Sequence, residues 1–307
     1  MQISTNQLFD RATSQLSNLQ SDLAVSQAKI AAQKQVLNPS DAPDQAAAIA
    51  RFKSVLSRQD SYVKSLDNLN SRLAIQDSTL SNASDALIRI KELTIEANDA
   101  TNDPISRKLL AGEMKAMRDQ LLSLANSSDT NGKFIYSGSR MTTPPFAADA
   151  QGQITYQGDQ TRMLQAIGDQ RNVAMNQPGS QVFVRVVRTA GDGSTAGVGF
   201  FQALDDLIAG VTSSNKSAMQ RGLSEVDDLH GGVVLAQAQT GADMQVVEQQ
   251  NALIQDTQTT LKTALSNVED LDYASSITQM KKQMMALEAA QNTFAKITQL
   301  SLFSYLR

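Results

Sequence analysis

Residues 273–307 read YASSITQMKKQMMALEAAQNTFAKITQLSLFSYLR, and their apolar positions decide the fold. Tyr273, Ile277, Met280, Met284, Leu287, Phe294 and Tyr305 keep to one alternation of threes and fours. A spacing of about 3.5 residues is the seam of a helix that needs a partner helix to cover it. The opposite end of the chain carries the same signature: Phe9, Ala12, Leu16, Leu19, Leu23, Ile30 and Leu37. Both seams are interrupted by polar residues, Ser26 and Gln33 in the first and Gln291, Thr298 and Ser301 in the last. Such seams pair weakly alone. They suit helices that gain order on assembly. Two placements stay open on this pattern: the terminal helices pair within one chain, or they pair between chains.

Working inward, "NPSDAPD" (38–44) punctuates the first helix. Pro39 holds Asn38 away from helical torsions, Asp41 is expected to cap the next helix, and Pro43 suits its first turn. A second helix is expected from about Asp44 to Asn98, with Ile49, Phe52, Leu56, Val63, Leu66, Leu69, Leu73, Leu80, Leu87 and Ile90 as its stripe. At ~1.5 Å per residue this is a rod of roughly 80 Å. Asp103-Pro104 opens a third helix with Ile105, Leu109, Met117, Leu121 and Leu124 expected inside.

The period then changes. "KFIYSGS" (133–139), "QITYQG", "RMLQAIG" and "QVFVRVV" read as short strands separated by turn residues. Helix returns at Phe201, pauses near "GVTSSN", and runs from Lys216 to about Val268. From Ser224 to Asp272 there are nine acidic residues against one lysine, a net of −8. Beyond Asp272 four basic residues face one acid, a net of +3. The switch marks a boundary near Asp272. The expected fold is mainly α, an elongated coiled-coil or helical-bundle rod built from both halves of the chain with a small β-rich insert. Three domains are expected: 1–43 with 272–307 as an inner coiled coil, 44–138 with 200–271 as a helical rod, and 139–199 as an outer β-rich insert.

Composition narrows the chemistry. Aromatic residues make up only 5% of the 307 and tryptophan is absent, which favours narrow helical seams over a thick core. A net charge of −4 with no basic block argues against a nucleic-acid partner. With one histidine and no cysteine, a zinc site is not expected. No apolar run reaches the ~18 residues of a membrane span, and the N-terminal stretch lacks the pattern of a cleavable signal peptide. The glycines of "GDGSTAGVG" (191–199) fit no dinucleotide or phosphate-cradling motif and read as a flexible turn. Asp205/Asp206 and Asp227/Asp228 are neighbours on helices, so they diverge and read as solvated surface. His230 reads as an exposed helical residue. No catalytic, cofactor-binding or metal-binding residue is expected, and no enzyme.

Four stretches carry a family resemblance: "ISTNQLF" (3–9), "VLNPSDAPDQAAAIARF" (36–52), "NGKFIYSGS" (131–139) with "ITYQGD" (154–159), and Leu265–Arg307, which combines VEDLDYA with the ending SLFSYLR. In order and spacing the chain resembles the flagellin-like hook-associated proteins of bacterial flagella. "TGADMQ" (240–245) departs from that pattern, which would place Arg or Asn after Gly-Ala. The resemblance implies an extracellular protein at the hook–filament junction, exported through the flagellar type III apparatus without a cleavable signal. It implies self-assembly into a ring, another hook-associated protein on the hook side, flagellin on the filament side, and a cytoplasmic export chaperone at the C-terminal region. It implies neither nucleic-acid binding nor membrane insertion. The expected assembly interface is the pair of terminal seams: Phe9, Leu16, Leu19, Leu23 and Ile30 at one end, and Ile277, Met280, Met284, Leu287, Phe294, Leu302 and Tyr305 at the other. A filament flagellin, or a soluble helical adaptor whose ends fold back, are the alternative readings.

Overall fold

The computed structural model describes residues 2–99, 102–189 and 195–305, with side chains described except at 2–6, 8 and 299–305. Its elements run α1 (Gln2–Ala32), α2 (Pro43–Asn98), α3 (Pro104–Ala125), β1 (Phe146–Ala148), β2 (Ile154–Tyr156), β3 (Leu164–Ala166), β4 (Asn172–Ala174), α4 (Gly179–Val182), β5 (Val186–Thr189), β6 (Thr195–Val198), α5 (Phe200–Thr212), α6 (Lys216–Glu269) and α7 (Tyr273–Tyr305). About 70% of the chain is helical, and the strands sit between the two helical halves. The mainly helical fold with a central β insert is therefore the one that the periodicities predict. The chain divides into two compact units, residues 60–254 and residues 1–59 with 255–307.

In the unit 60–254, one long hydrophobic stripe closes into a core. On α2 it runs through Leu66, Leu69, Leu73, Leu80, Leu87 and Ile90, the predicted stripe, and on α6 through Val226, Leu229, Val233 and Val247. The two helices are antiparallel. Asp77 accepts from Gln237, Gln76 donates to Thr240 at 3.0 Å, and Ser84 lies 2.9 Å from His230, so the register falls on one as it rises on the other. His230 is thus half-buried and hydrogen-bonded to Ser84, where the sequence suggested a free surface position. Phe146, Phe183, Phe200 and Phe201 stack edge to face on the insert side, with ring centroids 5.1–5.3 Å apart for Phe146–Phe183, Phe183–Phe200 and Phe200–Phe201.

α3 starts as expected, with the Asp103 carboxylate accepting from the Ser106 N–H at 2.7 Å and Pro104 at the first position. Of the five positions expected inside, Leu121 is buried, Met117 and Leu124 pack half-buried against the core, and Ile105 and Leu109 do not. Ala111, Met114, Leu121 and Ala125 point inward, while Ile105 and Leu109 are each 72% exposed.

The insert is three separate antiparallel hairpins, β1–β2, β3–β4 and β5–β6, rather than one sheet. "KFIYSGS" is not a strand. Only Phe134 bridges back, to Ser128, and Ile135 and Tyr136 are fully buried in an irregular segment. Asp159 explains why: it accepts from the N–H groups of Ser139 and Thr161, both at 2.9 Å, and from the Ser139 hydroxyl. Gly138 turns at φ +69°, where a Cβ would strike Asp159. These hydrogen bonds hold the Asp159 carboxyl well below the usual carboxylate range. The first half of "QVFVRVV" is α4, and β6 falls within the glycine-rich run read as a turn, of which residues 190–194 lie outside the described residues. Asp205 and Asp206 are half-buried and ion-paired rather than solvated, while Asp227 and Asp228 are exposed as the sequence suggested. Asp205 takes Arg118 at 2.8 Å, Asp206 takes Arg188, and Asp227 takes Lys91 at 2.6 Å.

The unit 1–59 with 255–307 is built differently. α1 ends at Ala32, five residues short of the last predicted seam position, because Gln33 turns left-handed at φ 57°. Asp41 does not cap α2. Its carboxylate accepts from the Asn38 N–H at 3.0 Å and closes the turn instead. Among the described residues of this unit, Val36 is the one buried apolar side chain; every other lies between Leu66 and Ile254.

This difference has a measurable consequence. Limited proteolysis of the monomeric chain should trim α1 and α7 first and leave a resistant fragment close to residues 60–254, because local opening is cheap where no core is buried. Equal resistance of α1, α7 and the 60–254 fragment would contradict this ordering.

Candidate assembly surface

The start of the stretch Leu265–Arg307 meets the residues that follow α1 at one joint. Lys34 pairs with Asp270 in an antiparallel bridge, Gln35 N–H donates to the Glu269 carbonyl at 2.9 Å, and Leu271 N–H donates to the Gln33 carbonyl at 3.2 Å. The Glu269 carboxylate, almost entirely covered, takes Lys34 at 2.9 Å and Lys53 at 2.8 Å. Asp272 then starts α7 by accepting from the N–H groups of Ala274 and Ser275, at 3.1 and 3.2 Å. The Tyr273 hydroxyl donates to the Ile30 carbonyl at 3.0 Å. None of this was visible from periodicity alone; the signal was the pair of short polar motifs at 36–44 and 268–274.

Hydrogen bonds from Lys53 and Lys34 hold the Glu269 carboxyl below its ordinary value of 4.5, and the same contact raises Lys34. A depressed carboxylate contributes stability above its unfolded pKa and loses it as pH falls through the lowered native one. Amide protection around residues 30–37 and 268–274, taken relative to the intrinsic exchange rate at each pH, should therefore fall as pH drops below about 4. In Glu269→Gln that protection should be low already at neutral pH, with the local acid dependence gone. An unchanged profile would show that the backbone bridge alone holds the joint.

From this joint α1 and α7 run antiparallel and pair with each other. The Ser26 hydroxyl donates to Gln283 Oε1 at 2.7 Å, and the rings of Phe9 and Phe294 sit 4.9 Å apart at 50°. Leu16, Leu19, Leu23, Ile30, Ile277, Met280, Leu287 and Phe294 are half-buried by that pairing, and none of the seam residues whose side chains are described is fully buried. Phe9 stays 47% exposed and Met284 49% exposed. The side chains of Leu302 and Tyr305 lie outside the described residues. Beside Leu23 an open apolar trough of about 460 Å³ is bordered by Met284, Met285, Leu287 and Gln291, with Lys281 and Glu288 at its edges. Chemically the surface offers hydrophobic burial and little else. Among the described residues, no group of three His, Asp or Glu converges on a metal-sized site, and no helix is long and apolar enough to cross a membrane.

The family descriptions of the bacterial flagellin N-terminal and C-terminal helical regions match residues 3–141 and 223–306, the two helical halves just described. The chain is 26% identical over 320 residues to flagellar hook-associated protein 3 of Salmonella typhimurium, covering 100% of both chains. It is 24% identical over 316 residues to the Escherichia coli protein of the same name, covering 99% of both. The chain belongs to the flagellin-like hook-associated proteins. Solved structures share the fold. The Xanthomonas campestris FlgL structure matches 70% of this chain and 99% of its own, with TM-score 0.62 and 22% identity. Hook-associated protein 3 of Legionella pneumophila matches 72% of this chain and 98% of its own, with TM-score 0.66 and 19% identity.

Proposed function

We propose that this chain is the structural subunit that joins the flagellar hook to the filament, and that α1 and α7 are the surface through which it assembles. The observation that carries this reading is the contrast between the two units. The 60–254 unit buries its stripe in its own core. The terminal pair leaves the described part of its seam half-covered, with the Leu23–Met284 trough open beside it. A two-helix pair with one face bare is completed by further helices of the same kind. On this reading copies of the chain form a ring. A hook-associated protein docks on the hook side, flagellin docks on the filament side, and before export a chaperone covers the α7 seam. The full-length match to proteins named for the hook-associated role favours this over a filament flagellin, and the bare seam favours it over a self-contained adaptor.

Cells lacking the chain should build hooks, carry no filaments and release flagellin monomers into the medium. Filaments of normal length and number in such cells would overturn the junction role.

A further inference from the structure

α3 and α6 both flank α2. Arg89 on α2 reaches Glu113 of α3 at 2.9 Å, and Arg107 of α3 reaches the Ala97 carbonyl of α2 at 3.0 Å. Lys91, two residues beyond Arg89 and so about 200° around the helix, reaches Asp227 of α6 at 2.6 Å instead. α3 and α6 thus lie on either side of the core face of α2, and α5 closes the bundle between them, with Asp205 on Arg118 of α3 at 2.8 Å and Leu207 against Gly222 of α6. Each of α3 and α6 carries an uncovered apolar face. On α3 it is Ile105 and Leu109, both 72% exposed, continued by the exposed Gly112 and Ala116. On α6 it is Gly231, Leu235, Ala238 and Ala242, all exposed, with Leu235 at 72%. Both run at the spacing four, three, four, one stripe along a helix. A large residue beside a small one lets a facing helix approach closely.

The charges beside the two faces have opposite sign. Lys108 and Lys115 border the α3 stripe, and neither makes an ion pair among the described residues. The other charges near that stripe, Glu113 and Asp119, are already paired with Arg89 and Arg118. Asp228 borders the α6 stripe, likewise without an ion pair among the described residues, next to Asp227. A face meeting its own copy about a two-fold axis would bring lysine against lysine or aspartate against aspartate. A face meeting the other kind pairs the signs.

We infer that the α3 face of one copy docks on the α6 face of the next, a head-to-tail contact between neighbouring subunits distinct from the α1–α7 seam. The occupant of each face is a second copy of this chain. A contact between two different patches propagates around a closed ring where a two-fold contact stops at a dimer. The inference rests on the junction reading for where the ring forms.

The chain has no cysteine, which makes the test clean. The full chain carrying Leu109→Cys, Leu235→Cys or both would be expressed in cells lacking the native copy. Isolated flagella would then be treated with a bismaleimide long enough to tolerate one turn of helical register. The double variant should give a ladder of covalent multimers beyond the dimer, and each single variant should give none. A covalent dimer from either single variant would overturn the head-to-tail contact in favour of a two-fold one. No multimers from the double variant, in flagella that assemble normally, would overturn it as well. Those outcomes are separable from failure of the junction role, which the deletion strain reports on its own. As an independent readout, Lys108→Glu/Lys115→Glu and Asp228→Lys should each reduce filament number several-fold, and their combination should restore it. Combined variants no better than the worse parent would count against the pairing.

Discussion

Arg72→Ala should be the most destabilising single substitution in the 60–254 unit outside its aliphatic core, costing about 3–5 kcal/mol. The side chain is 5% exposed, and all three of its nitrogens are used: Nε donates to the Met175 carbonyl at 2.8 Å, Nη1 to Asp129 at 2.5 Å, and Nη2 to the Phe134 carbonyl at 3.1 Å. Burial pulls the guanidinium below its ordinary pKa, and Asp129 offsets part of that. One side chain thereby ties α2 to the turn at 129–134 and to the strand end at Met175. Truncating it leaves Asp129 Oδ2 and the Met175 carbonyl without their donor, and the Phe134 carbonyl with only the 3.4 Å contact from the Ser137 hydroxyl. Asp129 also accepts from the N–H groups of Asn131 and Lys133, at 2.9 and 3.0 Å, so the turn itself would loosen. Urea unfolding followed by circular dichroism should show the midpoint lowered with an unchanged slope. Arg72→Lys should fall between, keeping the charge and losing the forked geometry. A midpoint within error of the parent for Arg72→Ala would mean that water replaces the guanidinium at no cost, and that this anchor is not one.

How much of this could be read beforehand divides by length scale. Long apolar periodicities are redundant signals. The stripe from Leu66 to Ile90 survives any single misreading, so α2, α6 and α7 emerge with bounds close to those observed. Short segments are decided by particular contacts. "KFIYSGS" has the composition of a strand, yet Asp159, twenty residues on from Ser139, captures its backbone donors and bends it at Gly138. The first two positions of the α3 stripe were misassigned for a related reason, while Met117, Leu121 and Leu124 do pack on the core. Ile105 and Leu109 fit a helical stripe as well as Ala111 and Met114 do, and only the placement of α2 and α5 decides which face is inside. Charges follow the same rule. Asp205 and Asp206 looked like solvated surface because their basic partners, Arg118 and Arg188, are distant in sequence. The seam residues proposed for assembly were legible because nothing in the chain fully covers them. Their pattern is the one a partner helix would read.

Leu23→Asp and Met284→Asp should leave the free chain nearly as stable as the parent and abolish the junction. Leu23 is half-buried and Met284 is 49% exposed, and both border the open trough between α1 and α7. In the free chain a carboxylate at either position reaches water, so the 60–254 core, which contains neither residue, should unfold at an unchanged temperature. On assembly the same carboxylate must be buried against another helix, beside a trough whose Lys281 is already accompanied by Glu288. Breaking the match in this way costs several kcal/mol, roughly 3–5 for an uncompensated buried charge. At 1.4 kcal/mol per tenfold, that is about a hundredfold to a few thousandfold at each joint. Every copy in a ring carries the substitution, so the penalty recurs around the assembly instead of being diluted by intact neighbours. Cells complemented with either variant should export the protein, fail to retain it on the hook, and lose flagellin to the medium. Thermal unfolding of the purified variants beside filament counts separates the two levels. A large drop in melting temperature would place these residues in a core of the single chain. Unchanged melting with normal filaments would remove α1 and α7 from the assembly surface.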